Sequence, residues 1–256
     1  MRLVDAHCHL ESEEFRDCLD AVLGDARAVG LVHFVTCAVV PEEWELGRDI
    51  ARRYGDVAFA AGLHPWFVEE PTLGRLGELE QVCEQGAVAI GEIGLDGKIG
   101  VPMPLQQRAF ERQLAIANSA MLPVVIHCRA AFGELMHCFK QTGPPKAGGI
   151  VHAFSGSVEN AEELTGLGLD FSMGGALSYR NSHKRAAVLE RIYPDHLLLE
   201  TDSPDMPPVQ VKEKPNVPAN ILYNLRGAAE TLSESAETVA EVTTKNAARV
   251  FGLALT

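Results

Sequence analysis

Eight short runs rich in β-branched and other apolar residues alternate with longer stretches of helical periodicity along the whole chain. This alternation predicts parallel strands that are joined by helices. The runs are nearly continuous in apolar residues, which is typical of a sheet covered on both faces. We predict strands at residues 3–8, 31–39, 57–64, 88–95, 123–128, 148–154, 170–176 and 196–201.

The stretches between these runs carry the start and stop signals of helices. Residues 41–55 begin with Pro at a favoured first helical position and end in Gly, and residues 104–120 repeat apolar side chains at helical spacing. Two helical stretches, 217–230 and 233–252, follow the last strand. The length of 256 residues matches the about 250 typical of a (β/α)8 barrel. The sequence therefore predicts an α/β protein, a (β/α)8 TIM barrel with a closing C-terminal helix, as a single domain over residues 1–256. A doubly wound open sheet is the alternative.

Metal-capable side chains interrupt the apolar runs at the same end of five strands. His7 and His9 are two residues apart, so they share one face of the first strand while Cys8 points to the other. The other four runs contribute Glu92, His127, His152 and Asp202. In a barrel these strand ends form the face where active sites lie, and carboxylates are rarely buried there without a partner or a metal. The pattern predicts a metal site, although an exposed terminus or a buried salt bridge would be the plainer explanation of single members.

Six candidate ligands are more than one ion usually takes. Three protein ligands and a water suffice for a catalytic zinc. The excess therefore predicts two divalent ions that share a bridging carboxylate, roughly 3.5–4 Å apart. The histidine-rich set favours Zn as the bound metal, while Mg or Mn would also support activity.

Charge limits the partners that the chain is expected to bind. Lys and Arg number 22 against 35 Asp and Glu, which gives a net charge of −13 and argues against an extended nucleic-acid surface. A pocket that binds one or two phosphates beside metal ions remains compatible with this charge. No run approaches the roughly 18 apolar residues of a membrane span. Asp5 and His7 stand where a signal peptide needs an apolar core, so a cytoplasmic protein is expected. The oligomeric state is left open, and a monomer is compatible.

Six segments together resemble the TatD family of metal-dependent hydrolases, the TatD-like deoxyribonucleases, within the larger group of amidohydrolase-related barrels. The segments are "VDAHCHL", "AAGLHP", "AIGEIGLD", "LPVVIHCR", "VHAFSGS" and "LLLETDSPDMP", in family order up to residue 207. The resemblance implies that one ion is held by His7, His9, Glu92 and Asp202, and that Glu92 bridges to a second ion held by His127 and His152. It also implies phosphodiester hydrolysis, as a metal-dependent deoxyribonuclease or exonuclease, with DNA ends or a small phosphodiester as the expected substrate. The chain departs from the family pattern at Gly97 and Ala130, which leaves the substrate open.

Two catalytic residues and two substrate-binding residues are predicted. The two metals would supply hydroxide near neutral pH. Asp202 would orient the attacking water and take its proton, and Glu92 would bridge the ions. Arg129 suits a phosphate, although it could instead neutralise the carboxylate ligands. His64 could donate a hydrogen bond to phosphate or leaving group, with loop structure as the alternative.

Other readings of the same residues stay open. A related hydrolase of another ester or amide bond, such as an aminoacyl-tRNA deacylase or an amidohydrolase, would use the same metals. Glu92 disfavours the lysine-bridged amidohydrolases, and a non-catalytic metal-binding protein is the third reading.

Asp96 either orients a ligand or caps the next segment. The basic run 178–185 and the proline-rich loop 207–218 are expected on the active-site side, in a phosphate-guiding or a purely structural role.

Overall fold

The computed structural model describes residues 1–179, 182–211 and 215–255, and over these residues eight parallel strands form one sheet. Each strand pairs with the next along the chain. The strands are β1 Leu3–Cys8, β2 Leu31–Ala38, β3 Val57–Ala61, β4 Ala89–Asp96, β5 Val124–Arg129, β6 Gly149–Val151, β7 Leu169–Met173 and β8 Leu197–Leu199.

The segment that follows the last strand returns to the first strand, so the barrel is nearly closed. The backbone N–H of Asp202 donates to the carbonyl of His7 at 3.0 Å, and the N–H of His9 donates to the carbonyl of Ser203 at 2.8 Å. The buried carboxylate of Asp5 accepts the backbone N–H of Thr201 at 2.9 Å and also the hydroxyl of that residue. These bonds join β1 to the segment that follows β8. The predicted (β/α)8 barrel is confirmed, and the open-sheet alternative is wrong.

Helices follow the strands and cover the outside of the barrel. In the described part of the chain they are α1 Leu19–Ala28, α2 Trp44–Arg53, α3 Glu70–Gly74, α4 Leu79–Glu84, α5 Met103–Ala120, α6 Phe132–Thr142, α7 Val158–Thr165, α8 His183–Ile192, α9 Ile221–Leu232 and α10 Ala236–Phe251. Helix α10 packs against β1 and β8, as expected of a closing C-terminal helix. None of the described helices is both long enough and apolar enough to span a membrane.

Apolar side chains fill both faces of the sheet. Inside the barrel, a cluster takes residues from seven strands together with Ala247 and Phe251 of α10. These strand residues are Val4, Ala6, Val35, Cys37, Ala60, Ala89, Val125, Ile150 and Leu198. A larger cluster between strands and helices includes Cys8 and Cys128. The barrel interior is thus packed at the α10 end, and the polar residues collect at the other.

Several strands end earlier than the sequence pattern predicts. The expected strands at 148–154 and 196–201 stop at Val151 and Leu199. The backbone of Ala153 has φ 43° and that of Asp202 has φ 55°, so neither residue is extended. The strand predicted at 57–64 stops at Ala61, because a 3₁₀ turn over Pro65–Phe67 begins at His64. As a result, His152 is the first residue after its strand, and His64 and Asp202 are each the third residue after theirs, so all three lie on loops rather than on strands.

Candidate metal centre

One oxygen of Glu92 faces the paired histidines of β1. Glu92 Oε2 lies 3.2 Å from His7 Nε2 and 3.7 Å from His9 Nε2. Asp202 Oδ1 completes the group at 3.3 Å from His7 Nε2 and 3.4 Å from His9 Nε2. The ligand atoms of His7, His9 and Asp202 all lie within 4.8 Å of one another. Two imidazoles and two carboxylates therefore converge on one point.

The other oxygen of Glu92 faces a second set of imidazoles. Glu92 Oε1 lies 2.8 Å from His152 Nε2, 3.1 Å from His127 Nδ1 and 3.1 Å from His64 Nε2. His127 Nδ1 and His152 Nε2 are themselves only 3.3 Å apart. The structure thus brings all six sequence-predicted ligands together, with Glu92, which is 3% exposed, between the two sets.

A glycine in β4 allows the close approach of β4 and β5. Gly94 pairs with His127, and a Cβ on Gly94 would lie 1.9 Å from the carbonyl oxygen of His127. Its φ of +145° is also one that other residues rarely adopt. The "GEIGLD" segment therefore needs this glycine to hold Glu92 beside His127.

Hydrogen bonds outside the centre decide which nitrogens face it. His9 Nδ1 lies 2.8 Å from the carbonyl oxygen of Cys37, which can only accept, so in the neutral ring Nδ1 carries the proton and Nε2 presents its lone pair. In the same way His127 Nε2 donates to Asp96 Oδ2 at 3.1 Å, and Nδ1 presents its lone pair towards Glu92. Both histidines are thereby fixed in the tautomer that a metal ligand requires.

Asp96 combines the two roles that the sequence left open. Its Oδ2 accepts from His127 and, at 2.8 Å, from the indole Nε1–H of Trp66. Its Oδ1 accepts the backbone N–H of Lys98 at 2.8 Å. Asp96 therefore orients a ligand and also caps the following turn. The indole contact was not foreseen from the sequence, because it joins the loop after β3 to the end of β4.

His64 differs from the other histidines in its tautomer. Its Nδ1 accepts the backbone N–H of Trp66 at 3.2 Å, so a neutral His64 carries its proton on Nε2. Burial is the main cause that lowers the pKa of His64 and favours this neutral form. Although its Nε2 is close enough to Glu92 to belong to a ligand group, this nitrogen donates a proton rather than a lone pair. The predicted role of His64 towards the substrate therefore stays a prediction that its hydrogen bonds support.

The two carboxylates of the centre are ionised at neutral pH in spite of burial. Burial alone would raise the pKa of Glu92, but the imidazoles of His152, His64 and His127 around it lower it well below its usual range. For Asp202, burial is again outweighed, here by the contacts of its carboxylate with His7 and His9, and the pKa is lowered. Burial also lowers the pKa of His152 to about 4, so this imidazole is neutral.

A third carboxyl group, Glu200, borders the centre and is not ionised. Its Oε1 accepts the backbone N–H of Ala153 at 2.8 Å and lies 3.8 Å from His152 Nδ1, while Oε2 contacts the hydroxyl of Ser172. Burial raises the pKa of Glu200 to about 8. The sequence offered one sign of this residue, a glutamate that ends the apolar run "LLLE".

The arrangement fits a divalent cation. His7 Nε2 is buried between two carboxylate oxygens, at 3.2 and 3.3 Å, yet forms a hydrogen bond with neither. Burial would lower the pKa of His9 and His127, but the carboxylates beside them raise it. Protons on these imidazoles thus supply positive charge beside the carboxylates, and a bound cation would replace them. Imidazole nitrogens and carboxylate oxygens in this number are the donors that zinc and related metals prefer.

Arg129 lies at the rim of the centre and is not one of its ligands. Its side chain is 58% exposed, and Nη1 lies 4.0 Å from Asp96 Oδ2.

Two side chains of the basic run 178–185 bind backbone carbonyls. Lys184 donates to the carbonyl of Ser155, and Arg185 donates to that of Tyr179. Residues 180–181 of this run and 212–214 of the loop 207–218 lie outside the described residues.

Sequence and structure comparisons place the chain among known proteins. The family described as TatD related DNase matches residues 4–252. The chain belongs to the TatD family. This TatD-family chain is 32% identical over 251 residues to YabD of Bacillus subtilis, named as an uncharacterized metal-dependent hydrolase, across 97% of this chain and 98% of YabD. It is also 31% identical to tatdn3 of Danio rerio, provisionally named as a deoxyribonuclease, across 97% of this chain and 96% of that protein.

A solved structure shares the whole fold. The crystal structure of YjjV, a TatD homologue from Escherichia coli K12, superposes on the chain with a TM-score of 0.90 at 31% identity and covers 99% of both chains. The resemblance seen in the sequence is thereby confirmed. The chain is a metal-dependent hydrolase of the TatD family with a TIM-barrel fold and clustered candidate metal ligands.

Proposed function

We propose that this TatD-family hydrolase is a deoxyribonuclease that uses two divalent metal ions to hydrolyse phosphodiester bonds of DNA. The observation that carries the proposal is the position of Glu92, each of whose oxygens faces its own set of imidazoles. This is the arrangement expected of a carboxylate that bridges two ions. The family description and the provisional name of the Danio rerio relative support DNA as the substrate.

The residues divide naturally between the two ions. His7, His9 and Asp202 would hold one ion with Glu92 Oε2, and His127 and His152 would hold the other with Glu92 Oε1. When bound, the ions would lower the pKa of water enough to supply hydroxide near neutral pH and would neutralise charge on the phosphate. The donor set favours zinc.

Asp202 is the general base of the proposed reaction. His7 and His9 keep its carboxylate ionised, so it can accept a proton from the attacking water. Its backbone is fixed by the N–H bond to the His7 carbonyl, which holds the carboxylate in one orientation. Asp202 would therefore orient the water and remove its proton as the bond from the water oxygen to phosphorus forms and the P–O bond to the leaving sugar oxygen breaks. The proton would then pass from Asp202 to that oxygen.

Arg129 and His64 would bind the phosphate. The exposed guanidinium of Arg129 presents several N–H donors at the rim of the centre, and such a group suits the paired oxygens of a phosphate. His64 presents Nε2–H beside Glu92 and could transfer this hydrogen bond to a phosphate oxygen. With a net charge of −13, the chain would bind DNA through this local site rather than along an extended surface.

The test is cleavage of a single-stranded DNA oligonucleotide labelled in turn at each end. The purified protein is assayed with Mg, Mn or Zn beside Glu92→Ala, with the exposed Glu241→Ala as the matched control. Metal content is measured by plasma mass spectrometry for each protein. We expect about two ions per chain, metal-dependent cleavage in wild type and Glu241→Ala, and loss of both metal and cleavage in Glu92→Ala.

Two outcomes would contradict the proposal in different ways. A Glu92→Ala protein that keeps its metals and its turnover would rule out the bridging role. A wild-type protein that holds two ions but leaves DNA intact would reject phosphodiester hydrolysis, while the metal centre would stand.

A further inference from the structure

Trp66 is an exposed aromatic residue beside the second set of ligands. It lies in the 3₁₀ turn after β3 and is 52% exposed. Its ring meets the ring of His64 edge to face, with centroids 5.3 Å apart. The other tryptophan of the chain, Trp44, is buried and donates Nε1–H to the carbonyl of Gly62. Trp66 therefore presents a large apolar ring to solvent at the rim of a charged centre.

The ring of Trp66 is held in one orientation. Its Nε1–H donates to Asp96 Oδ2 at 2.8 Å, and Asp96 is itself fixed by His127 and by the backbone of Lys98. The neighbouring Phe67 is also exposed, at 44%, but its side chain has no polar atom that could be held in this way. A ring that is already fixed loses little conformational entropy when a ligand packs on it.

Asp96 also places a cation next to this ring. Arg129 Nη1 lies 4.0 Å from the same Oδ2 atom that accepts the indole N–H. The N–H edge of the indole and an exposed guanidinium thus flank one carboxylate oxygen beside His127, and the two faces of the indole lie to either side of this edge. A nucleotide of single-stranded DNA presents the groups that complement this ring and this guanidinium, namely a planar base and an anionic phosphate.

We propose that Trp66 forms a nucleobase-stacking subsite for the nucleotide next to the phosphate that is hydrolysed. This subsite rests on the proposed function, because it assigns the neighbouring phosphate to the metal centre and Arg129. Every base has an aromatic face, so the subsite binds nucleotides with little preference for sequence. It also explains how a chain of strongly negative charge can bind DNA without an extended basic surface.

The test uses the metal-loaded protein and a short ligand that resists cleavage. The ligand is a phosphorothioate-linked thymidine trinucleotide, and its counterpart carries the same linkages on abasic sugars. Binding is measured by the anisotropy of a dye on the ligand and by tryptophan fluorescence. Trp66→Leu removes the ring, and Trp66→Phe keeps a ring but removes the indole signal and its hydrogen bond.

We expect the base-containing ligand to quench the fluorescence of wild type but not of Trp66→Phe. Trp66→Leu should bind this ligand roughly five- to a hundredfold more weakly, as expected for the loss of one base stack. The abasic ligand should bind wild type and Trp66→Leu equally. Phe67→Leu, the matched control from the same turn, should change binding less than about twofold. Metal content, measured in parallel, should equal that of wild type in Trp66→Leu.

Several results would overturn the subsite. Undiminished binding of the base-containing ligand by Trp66→Leu would do so, as would an equal loss for the abasic ligand or an equal loss in Phe67→Leu. Cleavage of the unmodified oligonucleotide by wild type tests the nuclease separately. Cleavage without any effect of Trp66→Leu on binding would reject the subsite alone, and quenching without cleavage would reject the nuclease alone.

Discussion

His127 Nε2 donates to Asp96 Oδ2 at 3.1 Å, and this bond decides which nitrogen of the ring faces Glu92. An asparagine at position 96 would turn either an amide N–H or a less basic oxygen towards His127. Asp96→Asn should therefore weaken metal binding at the Glu92 Oε1 side by about 10- to 100-fold. Competition with a metal-binding dye measures the affinity of the two ions in turn.

The control for this substitution is Asp49→Asn, which changes an exposed aspartate of α2. It should leave both metal affinities as in wild type. If Asp96→Asn retained its metals as strongly as Asp49→Asn, Asp96 would serve only to cap the turn at Lys98.

The raised pKa of Glu200 predicts how the stability of the metal-free protein depends on pH. Burial raises its pKa from 4.5 to about 8 in the folded chain, so between these values the folded state holds a proton that the unfolded state has lost. The free energy of unfolding must then fall as pH rises through this window, and the effect is absent below it. Glu200→Gln imitates the neutral carboxyl group and removes this dependence.

We therefore expect Glu200→Gln to gain stability relative to wild type as pH rises from about 5 to about 8. Urea unfolding with a chelator present, at several pH values, measures the difference. The exposed Glu80→Gln serves as the control. Parallel pH profiles for wild type and Glu200→Gln would show that Glu200 is already ionised in the folded protein.

Asp170 joins three elements at the end of the barrel opposite the metal centre. This buried residue of β7 lies 2.7 Å from His196 Nδ1, just before β8, and 2.6 Å from Arg249 Nη2 of α10. Asp170→Ala should lower the free energy of unfolding by about 1–3 kcal/mol, as for hydrogen bonds to charged groups. Urea unfolding of wild type and Asp170→Ala measures this difference in the free energy of unfolding.

The matched change is Glu241→Ala, which removes an exposed pair with Lys245 on α10. Water and salt screen an exposed pair of this kind, so Glu241→Ala should lower the free energy of unfolding much less than Asp170→Ala. Equal losses in the two variants would mean that the buried network adds no more than a surface pair. Metal content should stay unchanged in both, since neither residue lies near Glu92.

Four of the six candidate ligands could be predicted from the sequence because strand geometry brings them together. His7 and His9 share a face through the period of two in a strand, and parallel strands of a closed barrel place Glu92 and His127 at the same end. The pairing of Gly94 with His127 shows how directly the β4 and β5 segments encode this position.

The parts of the site that lie on loops depend on contacts between residues distant in the sequence, so the sequence pattern did not predict these contacts. Positive φ angles at Ala153 and Asp202 end two strands early, and each is held by a bond that no local pattern indicates. The Ala153 N–H donates to Glu200, and the Asp202 N–H donates to His7. The bond from Trp66 to Asp96 likewise arises from the packing of two loops, so it could not be predicted from either segment.

His64 and His127 both lie 3.1 Å from Glu92 Oε1. Their different tautomers nevertheless predict that alanine substitutions will differ in their effect on metal content. The proton of His64 is on Nε2, because Nδ1 accepts the N–H of Trp66, so His64→Ala should keep the metal content of wild type. It should lower kcat by about 10²-fold or more, the effect of removing one donor that stabilises charge in a transition state. His127 presents a lone pair, so His127→Ala should lose an ion as well as activity. Plasma mass spectrometry and oligonucleotide cleavage, carried out on both variants, separate the two roles. Loss of one ion in His64→Ala would instead make His64 a ligand and would require its Nε2 to be unprotonated.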